Sequence, residues 1–314
     1  MVEITEMLNI EYPILQGGMA QIARHELVSA VSNAGGLGIL ASGGLSAKEL
    51  REQIIECKKK TDKPFGVNLM LMMPNIPELV DVVIEEGVKI VTTGAGTPKP
   101  YMEKLKSAGV KVIAVIPSVK IAKKMEALGV DALVAEGTEA GGHVGETTTM
   151  ALVPQVVQAV SITVIAAGGI ANGHGVAAAY ALGAQGVQLG TLFLVAKECP
   201  VPDSFKQAVI NADDTSTIVT GRKSGAPVRS IKNPMTIKYQ ELEFSNASRD
   251  ELEEITLGSL KKAVYNGDVE NGSVMAGQIS GIINEIRPVK ELISTLFSEA
   301  NEVLSAISKR NFNI

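Results

Sequence analysis

Residues 136–145, Glu136-Gly-Thr-Glu-Ala-Gly-Gly-His-Val-Gly145, gather two carboxylates, a run of glycines and one of the three histidines in 314 residues. Glycine has no Cβ and tolerates positive φ, so such a loop lets backbone approach a ligand closely. A histidine held there can exchange a proton near neutral pH. The bland alternative is a glycine-rich turn carrying a solvent histidine. A second group lies downstream: Gly168-Gly-Ile-Ala-Asn-Gly173 and Gly190-Thr191. Glycines of this kind at the start of a helix bind phosphate through backbone N–H groups and the helix dipole, without basic side chains. That matters here, because residues 147–196 contain no Asp, Glu, Lys or Arg.

These loops need a scaffold that brings them to one face. Apolar strand-like runs at 13–16, 37–41, 65–71, 89–93, 110–116, 132–136, 163–167 and 186–189 alternate with amphipathic runs. The helices read as 25–33, 47–60, 76–86, 101–108, 119–128, 151–160 and 175–182, several closed by Ala-Gly or Leu-Gly pairs. Eight strand–helix units predict an α/β fold of the (βα)8 TIM-barrel type. A doubly wound sheet would carry GxGxxG after its first strand, whereas this chain has Gln16-Gly-Gly-Met-Ala20. From residue 201 the periodicity weakens, with a short strand at 217–220 and a helix at 251–265. An amphipathic helix follows at 289–307. The expected organisation is a barrel of residues 1–200 and 285–314, closed by that last helix, with a small cap at 201–284.

In a barrel the strand C-termini carry the site. The chain places there Gly17, Gly18, Met19 and Ala20, Ser42-Gly-Gly44, Asn68, Gly94-Ala-Gly96, the 136–145 loop, Gly168-Gly169, and Gly190-Thr191. A phosphate site alone suits sugar phosphates, pyridoxal phosphate or flavin mononucleotide (FMN). No lysine stands at a predicted strand end to form a Schiff base with pyridoxal. The rim of amide, backbone and small apolar groups favours a flat flavin ring.

Composition sets further bounds. A net charge of −5 argues against nucleic acid as the main partner. Cys57 and Cys199 have no metal-ligand or CxxC spacing and read as reduced thiols of a cytoplasmic protein. The N-terminus, Met1-Val-Glu-Ile-Thr-Glu-Met, lacks the basic start and apolar core of a signal peptide. Pro154, Gln155, Gln158 and the glycines from 168 onward interrupt the uncharged stretch, so it reads as core rather than a membrane span.

The motifs carry a family resemblance. Gln16-Gly-Gly-Met-Ala20, Pro64-Phe-Gly-Val-Asn-Leu-Met70, Val91-Thr-Thr-Gly-Ala-Gly96, Glu136-Gly-Thr-Glu-Ala-Gly-Gly-His143, Val164-Ile-Ala-Ala-Gly-Gly-Ile170 and Gln188-Leu-Gly-Thr191 resemble the nitronate monooxygenase and flavin-dependent enoyl-reductase superfamily. Ile231-Lys-Asn233, Asn266-Gly-Asp-Val269 and Gly272-Ser-Val-Met-Ala-Gly-Gln278 are similar to its flavin-containing enoyl-[acyl-carrier-protein] reductases, the FabK type of bacterial fatty acid synthesis. The resemblance implies hydride transfer from NADH or NADPH through FMN to a trans-2-enoyl thioester on acyl carrier protein. It implies His143 as the active-site histidine, acting on a proton or positioning flavin and substrate. It implies flavin contacts from Gly17, Gly18, Met19, Ala20, Asn68, Glu136, Gly141, Gly142, Gly168, Gly169, Gly190 and Thr191. Family members can use a monovalent cation, for which no side-chain cluster stands out, and no other metal site is expected. Nitronate oxidation and a non-enzymatic flavin-binding role are the alternatives. A homodimer is the expected assembly, with the low-charge helices of 147–196 facing the partner.

Charge adds one further expectation. Between Asp214 and Glu241 the chain carries Arg222, Lys223, Arg229, Lys232 and Lys238 and no acid. Such a run is either a solvated surface or a landing strip for an acidic carrier protein or nucleotide phosphates.

Overall fold

The computed structural model describes residues 3–245 and 247–310. Met1 and Val2 of the N-terminal reading, and residues 311–314 of the expected barrel domain, lie outside the described residues. Eight parallel strands form the centre: β1 (Ile14–Gln16), β2 (Gly38–Ala41), β3 (Phe65–Met70), β4 (Ile90–Gly94), β5 (Lys111–Ile116), β6 (Ala132–Glu136), β8 (Thr163–Ala167) and β9 (Val187–Leu189). They neighbour one another in the order β1-β9-β8-β6-β5-β4-β3-β2. The ring closes through a parallel bridge between Leu15 and Leu37, with Gln16 N donating to Leu37 O at 2.9 Å. Fully buried Gln16 reinforces this seam, its Oε1 accepting Ile39 N–H at 3.1 Å. The expected (βα)8 barrel is the fold observed.

Period-two alternation along the strands divides the core in two. Leu15, Ile39, Ile90, Ile113, Val134 and Ile165 pack inside the barrel, together with Ile4 and Leu8 from a short helix, Ile4–Leu8, at its N-terminal end. The opposite faces, among them Val67, Leu69, Val91, Val112 and Leu133, pack under the outer helices. The last helix, Val289–Ser308, completes that outer layer against the helix Gly173–Ala181. A Cβ on Gly173 would stand 2.3 Å from Glu299 Cβ, so only glycine permits the approach.

Beyond the barrel lies a three-stranded antiparallel sheet in the order β10-β11-β7, where β7 is Gly142–His143, β10 is Thr217–Thr220 and β11 is Val228–Ile231. Two of these strands, β7 and β11, are absent from the sequence reading, as is a helix at Pro234–Phe244. That helix has a clear start signal: Asn233 Oδ1 accepts Thr236 N–H, Thr236 Oγ1 accepts Asn233 N–H, and proline occupies the first helical position. The single helix expected at 251–265 is two helices, Arg249–Thr256 and Ser259–Asn266. Gly258 at φ 73° stands between them in the left-handed region and turns the chain.

Candidate active site

One layer above the apolar filling, the inward positions of the strands turn polar. Register pairs Asn68 with Thr92, Glu136 with Ala167, and Ala167 with Gln188, which places all these side chains at the C-terminal end of the barrel. Thr92 Oγ1 donates to Asn68 Oδ1 at 2.9 Å. The Asn68 amide nitrogen has no partner among the described residues, leaving a donor at the mouth. Gly18 lies directly against it, its would-be Cβ only 2.4 Å from Asn68 Cβ. Gly17 packs beside Gln188, and Met19 reaches across to Gly190.

Gly168 and Gly169 take φ values of 94° and 72°, two successive left-handed residues. Their N–H groups, and that of Gly190, donate to no other described residue. Free backbone donors in consecutive turned peptides form an anion-binding concavity. The space a Gly168 Cβ would take is bounded by Gly137 O and Thr149 Oγ1, both at 3.0 Å. Orphaned N–H groups for a phosphate and a free amide for a ring edge fit the phosphorylated flavin expected from the sequence. Among the described residues no group of His, Cys, Asp or Glu side chains is placed to hold a metal ion.

The loop from β6 crosses this rim and joins the outer sheet. Thr149 N–H donates to both Glu139 carboxylate oxygens, at 3.0 and 2.9 Å, and Gln278 N donates to Glu139 O at 2.9 Å. Gly277 N in turn donates to Thr191 Oγ1 at 2.9 Å. Gly141 and Gly277 cross backbone on backbone, since a Cβ on Gly141 would meet Gly277 N at 2.9 Å. The loop then forms β7, in which His143 pairs with Val228 and Gly142 with Arg229.

His143 is exposed and lines a cavity of about 540 Å³ together with Met275, Val228, Ser230, Met235 and Tyr239. Surrounding protein lowers the imidazole pKa from its ordinary value, so the neutral ring dominates at pH 7. Burial pushes the Glu136 carboxyl up to about 7. Gln21 shares the cavity wall, with a left-handed backbone (φ 63°) and a buried Oε1 that has no partner among the described residues.

The structure thus gathers the barrel candidates at one mouth and divides the basic set. Arg222, Lys223 and Lys232 are exposed, as is Lys238, whereas Arg229 is 6% exposed and faces the β6 loop. Lys223 also has an internal role, its Nζ donating to Glu243 O at 2.8 Å and lying 5.1 Å from the Phe244 ring centroid. Thr92, Gln188, Thr149, Gln21, Met275 and Gly277 were not named as site residues from the sequence, and Glu139 only as one of the two carboxylates of the 136–145 loop. A signal existed for the first two: each is polar at an inward position of a strand, Gln188 between Val187 and Leu189 and Thr92 beside Val91. Of the other two histidines, His25 is partly buried with Nδ1 unpartnered among the described residues, and His174 is exposed. Both cysteines are buried, and burial raises the thiols to about 12 for Cys57 and about 11 for Cys199, which keeps them protonated.

Comparison with known proteins adds what geometry alone leaves open. A model of the nitronate monooxygenase family matches residues 2–299. The chain belongs to that family. Within it the chain is of the FabK type: the solved structure of FabK from Thermotoga maritima superposes with a TM-score of 0.95 at 48% identity. That match covers 98% of this chain and 99% of that one. A (3aS,4S,5R,7aS)-5-hydroxy-7a-methyl-1-oxo-octahydro-1H-indene-4-carboxyl-CoA dehydrogenase of Mycobacterium tuberculosis is 35% identical over 95% of each chain. A probable nitronate monooxygenase of Staphylococcus saprophyticus is 34% identical over 96% of this chain and 98% of that one. Members of this nitronate monooxygenase family are flavin oxidoreductases. Among the described residues, no helix is long and apolar enough to cross a membrane.

Proposed function

We propose that this chain is an FMN-dependent enoyl-[acyl-carrier-protein] reductase that takes its electrons from NADH or NADPH, with acyl carrier protein presenting the trans-2-enoyl thioester. The observation that carries the reading is the FabK likeness, 48% identical over nearly the whole length, against 34% and 35% for relatives named for other reactions. The expected setting is the cytoplasm, as a homodimer serving fatty acid synthesis.

FMN, when bound, supplies the two-electron relay between nicotinamide and enoyl thioester. The chain's residues do the rest. Gly168, Gly169 and Gly190 would hold the phosphate through their free N–H groups, and the Asn68 amide would orient the ring. Thr191 steadies the 277–278 turn above them. Glu136, raised to about 7 by burial, holds a proton at the mouth near neutral pH. His143 stands at the cavity, where the thioester would enter, and the protonated fraction of its imidazole, replenished from solvent, would deliver the proton that the substrate Cα takes. The exposed Arg222, Lys223 and Lys232 would meet the acidic carrier.

Turnover of crotonyl thioester with each reduced nucleotide, on FMN-loaded protein, tests the reading. Thioester-dependent oxidation of the nucleotide is the expected result. The match to the nitronate monooxygenase model favours one second reading, nitronate oxidation. Oxygen uptake with a nitronate and no nucleotide would select it, and activity in neither assay would leave a flavin-binding protein.

A further inference from the structure

Arg229 is a buried cation with no ion-pair partner among the described residues, the Glu139 carboxylate acting on it only through space. Nε and Nη2 converge on Thr138 O at 3.2 and 3.1 Å, and Nη1 donates to Thr217 Oγ1 at 2.9 Å. Burying a charge against neutral acceptors is costly, so the arrangement calls for a reason beyond stability. The planar fork of arginine is suited to fixing a carbonyl in both position and direction.

The place of that carbonyl supplies the reason. Thr138 opens the loop that ends in β7, and Arg229 pairs with Gly142 of β7 through its own backbone. One residue therefore grips both ends of the segment 138–142, immediately before His143. Val144 N–H, just beyond, donates to Pro227 O at 3.1 Å, extending the same pairing. Between the grips, Glu139 is tied to Thr149 and Gln278, and Thr138 N–H donates to Thr147 O at 2.9 Å, so the barrel side of the loop is anchored and Arg229 links it to the outer sheet.

We propose that Arg229 is a positioning residue for His143, bridging the two ends of its loop so that the outer sheet sets where the imidazole stands above the barrel mouth. This rests on the proposed reading of His143 as the proton carrier. It also removes Arg229 from the surface that would meet a carrier protein or a nucleotide.

The test is Arg229→Ala in the FMN-loaded enzyme. Misplacing a catalytic group by about 1 Å costs up to on the order of 100-fold in rate, so kcat for the enoyl thioester should fall roughly 10- to 100-fold with the nucleotide KM unchanged. Added guanidinium chloride, below denaturing concentration, should restore part of the loss, whereas sodium chloride at equal ionic strength should not. Amide exchange by mass spectrometry should quicken across 138–144 and stay as in the wild type across the barrel strands. Thr217→Val, which frees only Nη1, should give a smaller loss of the same kind, and it decides the matter if the alanine variant does not fold. Wild-type kcat with wild-type loop exchange in the folded variants would overturn the inference. So would exchange quickened through the whole protein, which would make Arg229 a stability residue. A wild-type protein inactive on enoyl thioesters would refute the proposed function instead, while the exchange arm would still report whether Arg229 holds the loop.

Discussion

Adjacent glycines at the end of β1 should respond oppositely to the same substitution. An alanine methyl at position 18 would lie 2.4 Å from Asn68 Cβ and 2.6 Å from Asn68 Cγ. Carbon atoms pack at about 3.5–4.0 Å, so Asn68 or the loop must retreat by roughly 1 Å. Overpacking of this kind costs about 1–3 kcal/mol. Displacing Asn68 also disturbs its 2.9 Å hydrogen bond from Thr92, worth about 1 kcal/mol net. The expected loss for Gly18→Ala is therefore about 2–4 kcal/mol, with the free Asn68 amide turned from the mouth. At position 17 the methyl meets only Gln188 side-chain atoms at 3.6–3.7 Å, ordinary contact, and no positive φ is involved. Gly17→Ala should be neutral or slightly stabilising, because alanine narrows the unfolded ensemble by about 0.4–1 kcal/mol. Thermal unfolding of the flavin-free proteins reads the first effect, with Gly18→Ala melting roughly 3–6 °C lower. Flavin fluorescence titration reads the second: about tenfold weaker FMN binding for Gly18→Ala, the equivalent of one orienting hydrogen bond. Equal behaviour of the two variants, or a Gly18→Ala protein that melts and binds as wild type, would refute the packing argument.

Four further outcomes are expected. Gly168→Val should abolish retention of FMN, which the wild type should release on denaturation, because valine is strained at φ 94° and its Cβ would crowd Gly137 O and Thr149 Oγ1. His143→Ala should slow flavin oxidation by enoyl thioester by on the order of 10²–10⁴-fold while leaving flavin reduction by nucleotide nearly intact; stopped-flow traces showing both steps slowed equally would make His143 a positioning group. Burial raises the Glu136 pKa above its unfolded value, so the folded state holds the extra proton and its stability contribution is full below about pH 4.5. It is lost as pH rises through about 7, by up to about 3 kcal/mol, and unfolding midpoints between pH 5 and 8 should show this slope in the wild type and not in Glu136→Gln. Arg222→Glu with Lys232→Glu should raise KM for carrier-linked substrate at low salt and leave a short N-acetylcysteamine thioester unaffected, with unchanged kinetics removing these residues from docking.

The barrel was legible because its signals are local. Each strand is a short apolar run, several helices end in a closing glycine pair, and the glycine loops fall at strand ends by counting alone. The same holds for the 136–145 loop, whose composition marks it without any knowledge of its partners. The outer sheet was not legible, because its pairing is long-range. Gly142 and His143 form a strand only by meeting Val228 and Arg229, some 85 residues away in sequence. The Val-Arg-Ser-Ile run of β11 shows no apolar alternation, because Arg229 points inward to a carbonyl rather than outward to water. Charge pattern alone therefore grouped Arg229 with Arg222, Lys223 and Lys232, although its role depends on a contact that no local signal encodes.

The two halves of the site are built from different material, and this bears on how one family can hold several reactions. The barrel rim offers backbone: N–H groups of Gly168, Gly169 and Gly190 that have no partner among the described residues, and glycines whose replacement would collide with neighbours. Such a surface binds a phosphate and a ring edge without depending on side-chain identity, so it tolerates divergence as long as the glycines remain. The cavity beyond it is walled by side chains, among them Val228 and Ser230 of β11, Met235, Tyr239 and Leu252 of the helices, and Met275 of the segment that follows them. Substitution there reshapes the volume without touching the rim. His143 belongs to both halves, since its loop leaves a barrel strand and ends paired to β11. A change in the outer sheet can therefore move the group proposed to carry the proton as well as the walls around it. Substrate choice and proton delivery should consequently change together when β11 is altered, while flavin affinity stays as it was.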